Sequence, residues 1–104
     1  MIKFSVQDAL TRLANSNELS TRLIEQPTYD VRIYKPSTVD NQKPHTRDEV
    51  YVIASGSGEF VLGTETQPFN TGDLLFVPAD AEHRFINFSE NFSAWVIFFG
   101  PESS

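Results

Sequence analysis

The chain has 104 residues, a formal charge of −6, two histidines and no cysteine. Without cysteine there are no disulfides, thiolate metal sites or cysteine nucleophiles, and eight scattered Lys and Arg residues in an acidic chain argue against a nucleic-acid surface. One domain over 1–104 is expected, in the cytoplasm, because no apolar run approaches the ~20 residues of a membrane span and the N-terminus lacks a signal peptide's apolar core.

Residues 1–17 are expected to form a helical segment that packs on the outside of a sheet or on a second subunit. Within it, SVQDALTRLAN over 5–15 sets Val6, Ala9, Leu10, Leu13 and Ala14 on one apolar stripe. Ser5 is a candidate N-cap, with Asp8 three residues on near the positive end of the helix dipole. From residue 20 the period changes. Tyr29, Val31 and Ile33 alternate with Asp30, Arg32 and Tyr34, as in a half-buried strand, and Pro36 ends it.

Residues 36–48 are polar and turn-rich. EVYVIAS, Gly56-Ser57-Gly58 and EFVLG read as a hairpin, and no helix follows the glycines to make a phosphate loop. NTGD at 70–73 is a second turn, leading into LLFVP; HRFINF and SAWVIFF are the last strands, and PESS at 101–104 reads as a loose tail. Seven or eight short strands with Gly, Pro and Asp between them predict an all-β sandwich or barrel.

Both histidines stand at informative places. His45 precedes Glu49 by four residues, and Glu49 begins a strand; Tyr51 and Ile53 share its parity. His83 begins another strand, with Phe85 and Asn87 on its face and Arg84 opposite. Alone, each reads as a polar residue at a strand end.

Taken together, the two segments resemble the cupin superfamily. Its second motif runs Gly, five residues, Pro-x-Gly, two residues, His, three residues, Asn; here Gly72, Pro78, His83 and Asn87 hold that spacing, with Asp80 in place of the second Gly. Its first motif runs Gly, five residues, His-x-His, three or four residues, Glu, six residues, Gly. His45, Glu49 and Gly56 match its latter half, Lys43 stands where the first histidine belongs, and Ser37 replaces the leading Gly. Registering His45 as the first histidine instead would leave no glutamate in place.

The resemblance implies a small double-stranded β-helix, or jelly-roll, barrel of two antiparallel sheets with one short N-terminal helix. It also implies a mononuclear site for a divalent metal ion (Fe, Mn, Ni or Zn) held by His45, Glu49 and His83, since a 2-His-1-carboxylate set with open positions suits such ions. Lys43 would repel a metal unless it turns away or is neutral. Gln42 is a weak oxygen ligand if a bulge turns it inward, and Tyr51 and Phe85 are expected on the cavity wall. Arg47 and Arg84 are candidates for recognising an anionic substrate, and Trp95 and Phe98 for core or dimer contacts. Two readings stay open: a metal-dependent enzyme of oxidoreductase, dioxygenase or isomerase type acting on a small polar molecule, and a metal-free, non-catalytic module binding an anion or metabolite. Either way a small-molecule ligand and a homodimer are expected, and neither nucleic acid nor membrane.

Overall fold

The computed structural model describes residues 1–100. The tail at 101–104 lies outside them. One helix is followed by eight strands: α1 (Val6–Ser16), β1 (Ser20–Gln26), β2 (Tyr29–Tyr34), β3 (Glu49–Ser55), β4 (Gly58–Leu62), β5 (Glu65–Phe69), β6 (Leu74–Val77), β7 (His83–Ile86) and β8 (Ser93–Phe99). A five-stranded sheet, β1-β2-β8-β3-β6, faces a three-stranded sheet, β5-β4-β7. Every pairing is antiparallel. The fold is all-β, as expected. Among the described residues no helix is long and apolar enough to cross a membrane.

The helix begins where its cap chemistry dictates. Ser5 Oγ accepts from the Asp8 amide, Asp8 Oδ2 accepts from the Ser5 amide, and Asn17 closes the other end in the left-handed region at φ 59. Ala9 and Leu13 then pack on Ile33, with Leu10, Leu23 and Trp95 alongside. The stripe thus covers one end of the larger sheet from outside, and Trp95 lies under it. Ala14, expected in the stripe, is exposed.

Between the sheets the core is aromatic. Phe85 is at its centre, with ring centroids 4.7 Å from Phe92, 4.8 Å from Phe60 and 4.9 Å from Tyr51. Edge-on and tilted contacts of this kind add about 1 kcal/mol per pair beyond the area they bury. Phe98 belongs to the same core.

The expected hairpin at Gly56-Ser57-Gly58 is not formed. β3 pairs with β6 and β8, so both its edges are taken, and the chain crosses there to the smaller sheet, where β4 pairs with β5 and β7. The Ser57 carbonyl accepts from the Ser89 amide at 2.8 Å, and the Ser57 amide donates to Ser89 Oγ at 3.0 Å, so the link is fastened to the loop before β8. The tight hairpin comes later, β4 to β5 through Gly63-Thr64, with Gly63 at φ 60. Asn87 is a second correction: β7 ends at Ile86, and Asn87, at φ 50, is exposed and donates to Glu59 Oε1 instead of facing inward with His83.

The crossover makes Gly56 irreplaceable for two independent reasons. Its φ is +84, and a Cβ there would lie 2.7 Å from the Phe92 Cα and 2.9 Å from its amide nitrogen, both backbone atoms that cannot swing away. Gly56→Ala is expected to destabilise the domain by ~2 kcal/mol or more in urea denaturation. Wild-type stability in that variant would contradict the crossover geometry.

Candidate metal centre

Three elements deliver the site. Glu49 is the first residue of β3 and faces inward with Tyr51 and Ile53, all three essentially without exposure. His83 opens β7 on the opposite sheet and is 5% exposed. His45 comes from the irregular segment before β3 and is the open side of the group. Their ligand atoms all lie within 4.8 Å of one another.

The turn after β6 aligns both histidines. The Asp80 amide donates to the His45 carbonyl at 2.7 Å, and the Ala81 carbonyl accepts from His83 Nδ1 at 2.9 Å. Asp80 is left-handed at φ 67, which accounts for the glycine that the cupin motif has there; Asp tolerates that conformation better than most residues. Because Nδ1 is spent on a carbonyl, His83 directs Nε2 at Glu49.

That contact is the chemical signature of the site. His83 Nε2 lies 2.8 Å from Glu49 Oε1, yet Nε2 and both Glu49 oxygens are buried without a hydrogen-bond partner. The approach is close in distance and lacks the alignment of a hydrogen bond. An imidazole lone pair facing a carboxylate oxygen repels it unless a proton or a cation lies between, and orphaned buried polar atoms cost about 1–3 kcal/mol each. His45 Nε2 stands 3.9 Å from the same Glu49 oxygen. Two imidazoles and a carboxylate converging on one buried point fit a divalent ion of the first transition row or zinc.

Electrostatics treat the two histidines differently. Burial pushes His45 below the usual range; Glu49 opposes this, while His83, Arg32 and Arg47 reinforce it, so its ring is neutral at neutral pH, the form that ligates. Burial also pushes His83 down, but Glu49, the Ala81 carbonyl and the Asp40 charge outweigh it, and its net shift is upward. A cation entering would compete with a proton for His83 Nε2.

The other expected residues are placed as follows. Lys43 is exposed and lines a cleft of about 230 Å³ beside His83, together with Gln42, Val61, Glu82 and Arg84. Its ammonium is therefore outside the cluster of ligand atoms. Gln42 does turn inward: its Oε1 accepts from the Tyr51 hydroxyl at 2.9 Å and lies 3.4 Å from His45 Nε2. Tyr51 presents only that hydroxyl, whose pKa is raised by burial and by Glu49. Phe85, expected on the cavity wall, is buried in the aromatic core. Arg84 faces out, as its parity requires. Arg47, a candidate for anion recognition, is already engaged: it binds Asp30 at 2.7 Å and lies 4.4 Å over the Phe98 ring.

Asp40 escaped the sequence reading. It is 6% exposed and accepts from the Tyr34 hydroxyl at 2.6 Å, the Gln42 amide at 3.2 Å, Gln42 Nε2 at 2.9 Å and the Phe85 amide at 2.8 Å. One acid in an irregular polar stretch carries no periodicity that would reveal it.

A family model described as the cupin domain matches residues 31–99. An uncharacterized protein of Streptomyces coelicolor is 42% identical over 66 residues, covering 64% of this chain and 63% of its own length. Among solved structures, the DMSP lyase DddQ from Ruegeria pomeroyi superposes with a TM-score of 0.70 at 21% identity, over 82% of this chain and 48% of that one. A cupin 2 conserved barrel domain protein from Salinispora arenicola gives 0.65 at 20% identity, over 77% and 73%. The chain thus spans less than two thirds of the first two, and at these identities the two solved structures establish the fold alone.

The Asp30 ion pair fastens the segment between His45 and Glu49 to β2 and gives a pH test. Burial raises the Asp30 pKa, but Arg32 and Arg47 outweigh it and hold it below the usual carboxylate range. The stabilisation is therefore present above about pH 4 and is lost as pH falls through the folded value. Asp30→Asn is expected to cost ~3 kcal/mol near neutrality and to flatten the acid limb of stability against pH. An acid limb in the variant as steep as wild type would place that loss elsewhere.

Proposed function

The chain belongs to the cupin domain family, and on that premise we propose that it holds one divalent metal ion through His45, Glu49 and His83 and presents it to a small polar molecule at the barrel mouth. The observation that carries this reading is the trio of buried, unpartnered atoms: both Glu49 oxygens and His83 Nε2. An ion held there supplies Lewis-acid or oxygen-activating chemistry. The chain's own residues do the rest. Ala81 holds the His83 ring in its ligating orientation, His45 offers a neutral nitrogen, and the Phe98 ring, with its centroid 5.1 Å from that of His45, shields one side. Lys43 and Arg84 at the cleft favour a substrate bearing a negative group.

Those same two cations support a second reading, in which the cleft binds an anion or metabolite without metal or catalysis. Protein purified without chelator or affinity metal separates the two. Elemental analysis is expected to find about one Fe, Mn, Ni or Zn per chain, lost in Glu49→Ala and His83→Ala while the far-UV circular dichroism persists. Wild-type protein free of metal, whose thermal midpoint does not rise with added divalent ions, would leave the anion-binding reading in place.

For the proposed homodimer, the surface that supports it is the outer face of the larger sheet. Register puts Val31, Ile97, Val50 and Phe76 in one row across it and Ile33, Trp95, Val52 and Leu74 in the next. The helix covers the Ile33 end, leaving Leu74 64% and Phe76 53% exposed, with Phe99 and Tyr29 open nearby. These four leave large apolar side chains open to water on one face of the larger sheet, which is the feature that supports a partner there. A second copy applied to this face by a twofold axis buries the same rows on both sides. Phe76→Glu is expected to convert a dimer into a monomer in light scattering; a wild-type monomer at high concentration would rule the dimer out.

A further inference from the structure

Resting on the metal reading above, we propose that the fourth protein ligand is Gln42, through Oε1, in place of the histidine whose motif position Lys43 occupies, and that Asp40 is the positioning residue that aims it. Lys43 is exposed at the cleft, whereas its neighbour Gln42 lies between two openings: it lines the cleft beside His83 and a smaller one of about 140 Å³ beside His45.

The orientation of the Gln42 amide follows from its neighbours. Asp40 Oδ2 accepts from Nε2 at 2.9 Å, and a carboxylate oxygen selects the NH₂ end of an amide. Oε1 is thereby turned away from Asp40 and toward the site, where it accepts from the Tyr51 hydroxyl at 2.9 Å. Asp40 is itself pinned by the Tyr34 hydroxyl and the Phe85 amide, both anchored in the core. The oxygen that results lies 3.4 Å from His45 Nε2. Two ligand atoms each ~2.1 Å from one ion are separated by about 3.0 Å at a right angle and about 3.4 Å at the tetrahedral angle. The carbonyl oxygen therefore stands at the spacing of a neighbouring ligand. Without an ion the same approach is a long hydrogen bond from the His45 ring, which metal binding would replace. An amide oxygen is a neutral donor, so the set keeps one carboxylate charge and favours the harder ions, Mn(II) and Fe(II), over a three-histidine set.

The test is Mn²⁺ titration by calorimetry and the Co²⁺ absorption spectrum of the full chain, for wild type, Gln42→Met, Lys43→Ala and Asp40→Asn, with circular dichroism to confirm folding. Gln42→Met keeps the side chain's length and removes the oxygen. It is expected to weaken Mn²⁺ binding by about tenfold or more and to change the spectrum at saturating Co²⁺, while Lys43→Ala leaves both as in wild type. Asp40→Asn no longer selects the amide orientation and is expected to shift the saturated Co²⁺ spectrum; a structural role alone would lower the thermal midpoint and leave that spectrum unchanged. Wild-type affinity and spectrum in Gln42→Met, or loss of binding in Lys43→Ala, would overturn Gln42 as the ligand while the three-residue site stands. Failure of wild type to bind either ion would instead overturn the metal reading.

Discussion

A glutamate side chain with no exposure, 2.8 Å from an equally buried histidine, is the constraint around which this barrel is arranged. Burying a carboxylate is costly unless something positive meets it. Here the nearest group of opposite potential charge among the described residues is an imidazole whose other nitrogen is committed to a backbone carbonyl, with His45 Nε2 farther off at 3.9 Å. The neighbouring aromatic rings can offer packing and no compensation. The site therefore has a place for a proton or a cation built into it, and the second histidine and the Gln42 oxygen converge on the same side.

The fold supplies this constraint from two sheets at once. Glu49 comes from the middle of the larger sheet, flanked by β6 and β8, and His83 from the edge of the smaller one. Neither can retreat, because each begins a strand whose next inward residue, Tyr51 or Phe85, is locked in the aromatic core. His45 has no strand to hold it. Its segment is secured instead by the Asp80 amide on its own carbonyl and by Arg47 bound to Asp30 and seated over Phe98. The rigid pair and the strapped third member divide the work: two atoms set the position, and the third sits at the open side, where a substrate would approach.

Much of this was legible from residue types at fixed spacing. Ser5 with Asp8, and Gly72 through Pro78 to His83, each encode a local geometry that few other residues can adopt, so the helix start and the turn before β7 could be read directly. Parity along Glu49, Tyr51 and Ile53 was equally reliable inside a strand. It failed at Asn87, where the strand had already ended. The crossover at Gly56 was misread as a hairpin because a glycine turn looks the same locally whichever way the chain leaves it; only the pairing of β3 with β6 and β8 decides. β1 and β5 were not singled out because neither alternates apolar and polar residues: β1 has only the adjacent Leu23 and Ile24, and β5 is polar along most of its length. Asp40 was least accessible, since 36–48 has no period and its directions are set by hydrogen bonds to distant core residues.

The most direct measurement of the central claim is anomalous diffraction, at the absorption edge of the bound metal, from crystals of protein loaded with Mn²⁺. The account predicts a single strong peak within bonding distance of His45 Nε2, His83 Nε2 and a Glu49 oxygen. Metal-replete crystals with no peak in that cavity, and a protonated His83 joined to Glu49 by a well-aligned hydrogen bond, would contradict it.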